Sequence, residues 1–298
     1  MRNNTVTVLG LMGQSVFMEL DHFHSNGETV HCRSLYIEPG GKGCNQAVAA
    51  KRLGADVNFI ATLGDDDYGR LSRDFLVREG IEACTQFVTG RQTAYACILT
   101  DSYGENRVTV FSGAAGCLGA EQVNKYRDKI RGSDILLLNL EYPLEANLQA
   151  LDIAAKDGVR VIVNPAPYSG ESIRELSRAW LITPNRQEAA AMAGLSQDVS
   201  PEELALALRD LGFPRLIITL GSKGALLLED GHLEMLSAEK RQAVDTTGAG
   251  DCFNGALAAS LARGHSLRDS AHFAVKASGL SVEKRYVMKS LPHLGELE

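Results

Sequence analysis

The sequence predicts an α/β protein: a mainly parallel central sheet with helices on both faces, and a small second β-sheet set beside it as a lid. Three observations lead there. Short, uninterrupted apolar runs of strand length alternate with helical patterns that close on glycine, as expected of a parallel sheet covered on both sides. Two stretches, about 14–38 and 92–113, break that rhythm with alternating, β-branched or aromatic runs that lack helical periodicity. No linker, repeat or low-complexity segment divides the chain, so residues 1–298 read as one domain with the two lid segments inserted.

The first strand is Thr5-Val6-Thr7-Val8-Leu9, running into Gly10. A helix is predicted over Cys44–Leu53, with Ala47, Val48 and Leu53 on one side and Gly54 behind it. Strand Val57–Thr62 follows, then helix Asp66–Arg78, which carries Leu71, Phe75 and Leu76 and stops at Gly80. Helices 121–131, 144–157, 171–178 and 201–211 precede strands 135–140, 159–163, 180–183 and 215–220 in turn. The last strong helical pattern, Phe253–Leu261, stops at Gly264. In the lid segments Thr29–Ile37, Ala94–Leu99 and Val108–Phe111 have strand character, and Tyr103-Gly104-Glu105-Asn106 supplies the residues of a hairpin turn.

Composition excludes several classes. With 45% apolar and 22% charged residues the chain buries a core and is not disordered. A net charge of −7 argues against nucleic acid as a partner, because phosphate backbones call for clustered Lys and Arg. No apolar run reaches bilayer length and no basic start leads into an apolar leader, so a cytoplasmic protein with no membrane partner is expected. The six cysteines lack any C-x-x-C pair, and His22 and His24 stand too close for a helical metal pair. Neither a disulfide framework nor a structural metal is expected.

Chemistry concentrates in a few glycine-rich stretches. Asp245-Thr246-Thr247-Gly248-Ala249-Gly250-Asp251 puts small residues and then a carboxylate before a long apolar helix. Free N–H groups at a helix start receive a phosphate or another developing anion, and a carboxylate at their rim can take a proton from an attacking hydroxyl. The same residues also suit a helix-start carboxylate that serves only the dipole. Gly40-Gly41-Lys42-Gly43-Cys44-Asn45 opens a helix with close backbone approach and two side-chain donors, or is a plain glycine turn; it is not a P-loop. Gly10-Leu11-Met12-Gly13 lacks the third glycine and the following helix of a dinucleotide site, and that reading is rejected.

Asn185 and Glu188, three residues apart at a helix start, can face one opening, although on these residues alone a capping box is the stronger reading. Thr219-Leu220-Gly221-Ser222-Lys223-Gly224 and Glu141 each follow a strand. At a sheet's carboxyl edge either can meet a ligand, and Glu141 fits a solvated strand end equally well.

Together and in this order, these pieces resemble the ribokinase-like (PfkB) sugar kinases. Gly40 to Ala50 is similar to that family's N-terminal signature and Asp245 to Leu257 to its C-terminal one. Gly27-Glu28-Thr29-Val30, Leu140-Glu141-Tyr142-Pro143, Asn164-Pro165-Ala166-Pro167, Ile182-Thr183-Pro184-Asn185 and Ile218-Thr219-Leu220-Gly221-Ser222 have counterparts between them. The resemblance runs from about residue 6 to 282. It implies a ribokinase-like three-layer α/β/α fold and an ATP-dependent carbohydrate kinase acting on a primary hydroxyl. Asp251 would be the base, with Gly248, Ala249 and Gly250 the anion hole for the γ-phosphoryl group. Gly13, Ser15, Gly41, Lys42, Asn45 and Glu141 would line the sugar site. Thr219, Gly221, Ser222, Gly224, Gly250 and Asn185 would hold ATP, with Val275 near the adenine. Asn185 and Glu188 would organise Mg2+ through water. Asp245, Thr247, Ser281, Lys284, Tyr286 and Ser290 are the positions for K+, and paired lids would make a homodimer.

Two departures stand out. Ribokinases carry Asn and Asp where this chain has Gly13 and Ser15, so a charged hydrogen bond of roughly 1.5–3 kcal/mol to a sugar hydroxyl is missing. Such contacts decide between analogues, which puts ribose itself in doubt unless Gln14 compensates. The family's cation loop has glycine where Tyr286 stands, and the Lys284 ammonium offers a charge that can replace a bound cation. Altered or absent potassium dependence is expected. A nucleoside kinase of the same fold and a non-catalytic sugar-binding regulator are the alternatives; retention of Asp251 with its glycines speaks against the second.

Overall fold

The computed structural model describes residues 4–170 and 173–297. Among these residues thirteen strands follow in chain order: β1 (Thr5–Leu9), β2 (Gly13–Glu19), β3 (Ser34–Gly40), β4 (Asp56–Gly64), β5 (Glu82–Val88), β6 (Ala94–Thr100), β7 (Asn106–Phe111), β8 (Ile135–Leu138), β9 (Arg160–Val163), β10 (Leu181–Ile182), β11 (Leu216–Thr219), β12 (Ala225–Glu229) and β13 (His232–Leu236). The helices are α1 (Lys42–Arg52), α2 (Asp67–Arg78), α3 (Ala120–Lys125), α4 (Arg127–Arg131), α5 (Leu144–Asp157), α6 (Ile173–Leu176), α7 (Arg186–Ala193), α8 (Pro201–Asp210), α9 (Ala249–Ala262) and α10 (Leu267–Ser281).

Nine strands form one sheet in the order β13-β12-β11-β10-β9-β8-β1-β4-β5, parallel from β5 through β11 and antiparallel at β12 and β13. Alternation along the buried strands serves two cores. In β8, Ile135 and Leu137 join the core under α1, α9 and α10, whereas Leu136 and Leu138 join the core under α5, α7 and α8. Helices therefore cover both faces, giving the three-layer α/β/α architecture expected from the sequence. Because β8, β9, β10 and β11 are parallel, Glu141, Asn164, Asn185 and Thr219 all emerge near the same carboxyl edge. No helix among the described residues is long and apolar enough to cross a membrane.

The lid is a four-stranded sheet, β3-β2-β6-β7, with β2 parallel to β6 and both outer pairs antiparallel. Its segments begin and end within two residues of the expected limits. The reading of Thr29–Ile37 as strand is corrected, since β3 starts only at Ser34. The hairpin turn moves as well: Asn106 already pairs with Thr100, and Asp101 Oδ1 closes the loop by accepting the N–H groups of Tyr103 and Glu105. The expected helix 121–131 is broken at Tyr126 into α3 and α4. Helix α1 begins at Lys42, two residues before the expected start, with Gly41 at its N-cap. Part of the expected helix 171–178 lies outside the described residues; α6 is a single turn. Strands β5, β12 and β13 were not anticipated.

Gly13 opens β2 opposite Ala94 in β6, and a Cβ there would lie 2.0 Å from the Ala94 carbonyl oxygen. No side chain fits between these two backbones. Replacement Gly13→Asn, which restores the residue usual in ribokinases, is expected to lower stability by about 1–3 kcal/mol through overpacking. Urea denaturation of parent and variant measures the loss.

Candidate active site

Asp251 stands in the first turn of α9 and is only 6% exposed. Its Oδ2 accepts a hydrogen bond from Asn45 Nδ2 at 2.8 Å and its Oδ1 one from Gln46 Nε2 at 3.1 Å. Both donors come from consecutive residues of α1, so the two signature helices are tied together through this one carboxylate. Gln46 Nε2 also donates to Asn164 Oδ1 at 3.0 Å, and Asn164 Nδ2 donates to the Thr183 carbonyl at 3.2 Å. Thr183 Oγ1 donates to Asn254 Oδ1 at 2.5 Å, and Asn254 Nδ2 returns to the Gly250 carbonyl at 2.9 Å. Neutral amides orient Asp251 without neutralising it, and an ionised carboxylate keeps lone pairs for a further proton.

Gly248 is the N-cap of α9 and adopts φ +78, and a Cβ there would meet Val287 Cγ1 at 2.6 Å. Both facts exclude a side chain. The first i→i−4 bond of the helix is the Cys252 N–H to the Gly248 carbonyl at 2.8 Å, so the amides before it are not consumed by that ladder. Ala249 differs from the expectation, because its N–H is taken by the Thr246 carbonyl at 3.2 Å. Gly248, Gly250 and Asp251 line a cavity of about 110 Å³ together with Lys42, Asn185, Glu188 and Thr219.

A larger cavity of about 390 Å³ adjoins it. It is lined by Thr219, Gly221, Ser222, Gly224 and Gly250 and by the apolar Phe253, Val275 and Val282. Asn185 and Thr219 line both spaces and are bridged through their backbones. The capping box is also present: Asn185 Oδ1 accepts the Glu188 N–H and Glu188 Oε2 accepts the Asn185 N–H, each at 2.8 Å. The cap and the cavity are therefore one feature.

Charge gathers here. The carboxylate of Asp251 pushes Lys42 above its usual range against the opposing effect of burial. Burial pushes Glu188 up. It pushes Glu141 up to about 7, partly offset by the Lys42 charge, while Asp251 pushes the same way as burial. Glu141 Oε2 accepts the backbone N–H of Lys42 at 2.7 Å. Thus Lys42 contributes its amide to Glu141 and its charge to the cleft.

At the lid side, alternation puts Gly13 and Ser15 on one face of β2 and Gln14 on the other. Gln14 is buried and its amide donates to Ser72 Oγ of α2 at 3.1 Å, so it does not stand in for the missing sugar ligands. Ser15 Oγ packs against Gly40.

The cation loop departs from expectation in another way. Lys284 Nζ pairs with Glu296 at 2.9 Å and is not a tethered cation for Asp245. Asp245 accepts N–H groups from Thr247 at 2.9 Å and Tyr286 at 3.0 Å and makes no ion pair among the described residues. Tyr286 holds φ +66, the left-handed conformation a glycine adopts freely. Ser281 and Ser290 hydroxyls are buried and donate to the Ser278 and Val287 carbonyls.

Sequence reading missed Gln46, Asn254, Asn164 as a ligand of Gln46, and Glu38. Each is a buried polar residue, and the first three stand inside the quoted motifs. Glu38 gave no signal. It holds the Val287 and Met288 N–H groups at 2.8 and 3.2 Å, contacts that only the folded chain creates.

The model of the pfkB family carbohydrate kinases matches residues 4–294. The chain belongs to that family. It is 36% identical to the ribokinase of Haemophilus influenzae over 97% of this chain and 95% of that one. The crystal structure of a ribokinase from Thermotoga maritima superposes with a TM-score of 0.90 at 32% identity, covering 98% of this chain and 97% of that one. A structure of Arabidopsis thaliana ribokinase complexed with ribose and ATP superposes with the same score at 27% identity, covering 98% and 96%. The fold and the activity class, carbohydrate kinase, follow.

The displaced Glu141 has a measurable consequence. Its folded pKa of about 7 lies above its ordinary 4.5, so the folded chain keeps a proton that the unfolded chain releases. That contribution is full below about pH 4.5 and is lost as pH rises through about 7. Denaturant midpoints recorded across this interval are expected to fall less steeply in Glu141→Gln than in the parent.

Proposed function

We propose that the protein is an ATP-dependent kinase that transfers the γ-phosphoryl group to a primary hydroxyl of a small sugar, with Asp251 as general base. One juxtaposition carries the reading. A buried carboxylate, fixed by Asn45 and Gln46, stands at the start of α9 where the nucleotide-sized cavity meets the small polar one. In the transfer, Asp251 takes the hydroxyl proton as the sugar oxygen bonds to the γ-phosphorus. The bond from that phosphorus to the β,γ-bridging oxygen breaks, and ADP leaves. The N–H groups of Gly248 and Gly250 with the α9 dipole receive the charge on the moving group, and Lys42 adds a full positive charge. Ala249 contributes backbone conformation, its own N–H being engaged.

ATP fits along Thr219, Gly221, Ser222 and Gly224, its base against Val275. Asn185 and Glu188 fit Mg2+ held through water: both present oxygen to a polar cavity, and no cluster of three or more His, Cys, Asp or Glu exists among the described residues to strip a metal of its waters. Mg2+ neutralises phosphate charge when bound. Gly41, Lys42, Asn45 and Glu141 line the sugar side, and Ser15 supplies a hydroxyl there in place of a carboxylate. Asp245, which makes no ion pair among the described residues, would hold K+ together with main-chain oxygens of Thr247, Ser281, Lys284 and Tyr286 and the Ser290 hydroxyl. With the loop in its left-handed form, potassium activation is retained in this reading, and a potassium titration checks it. On one face of the lid Leu35, Ile37 and Phe111 are each at least 42% exposed, a surface that supports pairing of two lids in a homodimer.

Asp251→Asn is expected to keep nucleotide affinity and to lower turnover by about 10²–10⁴-fold, the usual scale for a general base. Near-parental turnover in a coupled ADP assay removes Asp251 from the reaction. A panel of pentoses, deoxypentoses, hexoses and nucleosides in the same assay identifies the acceptor. Without a carboxylate at position 15, ribose is expected to lose its usual advantage over deoxypentoses.

A further inference from the structure

We infer that Tyr286 is a positioning residue that couples the lid to the loop carrying Asp245, so that acceptor binding under the lid sets the geometry beside the α9 N-terminus. Its backbone N–H donates to Asp245 Oδ2 at 3.0 Å, and the other oxygen of that carboxylate holds the Thr247 N–H, one residue before Gly248. Its ring does something unrelated. It stacks on Tyr36 of β3 with centroids 4.0 Å apart and 27° between planes, and meets Phe17 of β2 edge-on at 5.3 Å. Lys289 Nζ lies 4.2 Å from the Tyr36 ring centre and 5.3 Å from that of Tyr286.

A ring that merely filled space would have no reason to sit on a left-handed backbone. At φ +66 Tyr286 occupies a conformation that glycine takes without strain, and among the other described non-glycine residues only Asn4 and Asp230 have positive φ. That backbone is what lets one residue aim its N–H at Asp245 and its ring at the lid. The contact is reinforced next door, where Val287 and Met288 give their N–H groups to Glu38 of β3. Phe17 and Ser15 share a face of β2, so the strand that Tyr286 grips also walls the acceptor site. Closing the lid and fixing the Asp245 loop are thereby one event, and a coupling of this kind is reciprocal.

Three variants separate coupling from bulk. Tyr286→Gly keeps the left-handed backbone and removes the ring, Tyr286→Phe keeps the ring, and Tyr36→Ala removes its partner from the lid. In unliganded protein, hydrogen exchange of the Ser34–Gly40 amides is expected to quicken at least tenfold in Tyr286→Gly and Tyr36→Ala and to stay parental in Tyr286→Phe. Combining Tyr36→Ala with Tyr286→Gly is expected to add little to either alone.

With the best acceptor from the panel, Tyr286→Gly is expected to raise acceptor KM about tenfold, with a smaller change in kcat and in the KM for ATP. Parental exchange in Tyr286→Gly, additive effects in the double variant, or equal defects in Tyr286→Gly and Tyr286→Phe would overturn the coupling. The kinetic arm rests on the kinase reading. The exchange arm does not, so a protein that phosphorylates no sugar still answers the question.

Discussion

The architecture of the site depends on one carboxylate held between two helices. Asp251 belongs to α9, and its two bonds come from Asn45 and Gln46 of α1, over two hundred residues earlier in the chain. Burying an ionised side chain is tolerable only when its oxygens are bonded, and leaving one partner out costs about 1–3 kcal/mol or more. Sealing the helix interface therefore fixes Asp251 in the same step. The helix start, with Gly248 pressed against Val287, is brought to the same place by packing. The parallel sheet then adds strand ends that share an edge, which is why Glu141, Asn164, Asn185 and Thr219 surround a point that no short segment defines.

How much of this was legible in the sequence depended on how local the cause was. Glycine-rich helix starts announce themselves, and both signature helices were placed by them. Buried parallel strands were found because their apolar runs are continuous. Antiparallel β12 and β13 were missed: β13 is mostly exposed, with only Leu236 buried, and its pairing with β12 decides its structure. Boundaries slipped where side-chain caps act at a distance. Asp66 was read as the first helical residue of α2, yet it is the cap, its Oδ1 accepting the Gly69 N–H and its Oδ2 the Thr93 N–H of the lid segment. At Asn185 and Glu188 the sequence offered a cap or a ligand site as rivals. The fold makes the cap, and the same two residues line the small cavity.

The two departures from the ribokinase pattern have different physical characters. Gly13 is a matter of space: the parallel β2–β6 register brings the Ala94 carbonyl so close that glycine is enforced, and the Asn of the ribokinase pattern has no room. Ser15 at the same sheet end packs on Gly40, and Gln14 is committed to Ser72. This end of the lid thus carries less charge than the resemblance implied, and at Gly13 the change is built into strand pairing. A single side-chain swap does not undo it.

Tyr286 is the opposite case, where a residue costly in isolation is retained. A left-handed non-glycine residue costs about 1–2 kcal/mol. Each aromatic contact returns about 0.5–1.5 kcal/mol, and a cation over a ring about 0.5–1 kcal/mol when exposed. The contacts with Tyr36, Phe17 and Lys289 offset the strain only while β2 and β3 lie against the loop. If the lid lifts, the strain stays and the compensation goes. The energy of this loop thus depends on lid position, and glycine at 286 would not create that dependence. In the proposed kinase, Gly13 and Ser15 in place of Asn and Asp would give the acceptor a weaker hold of its own on the lid. A lid that carries part of its closing energy in protein–protein contacts needs less from the acceptor, and the two departures are consistent with one shift of binding energy from substrate to scaffold.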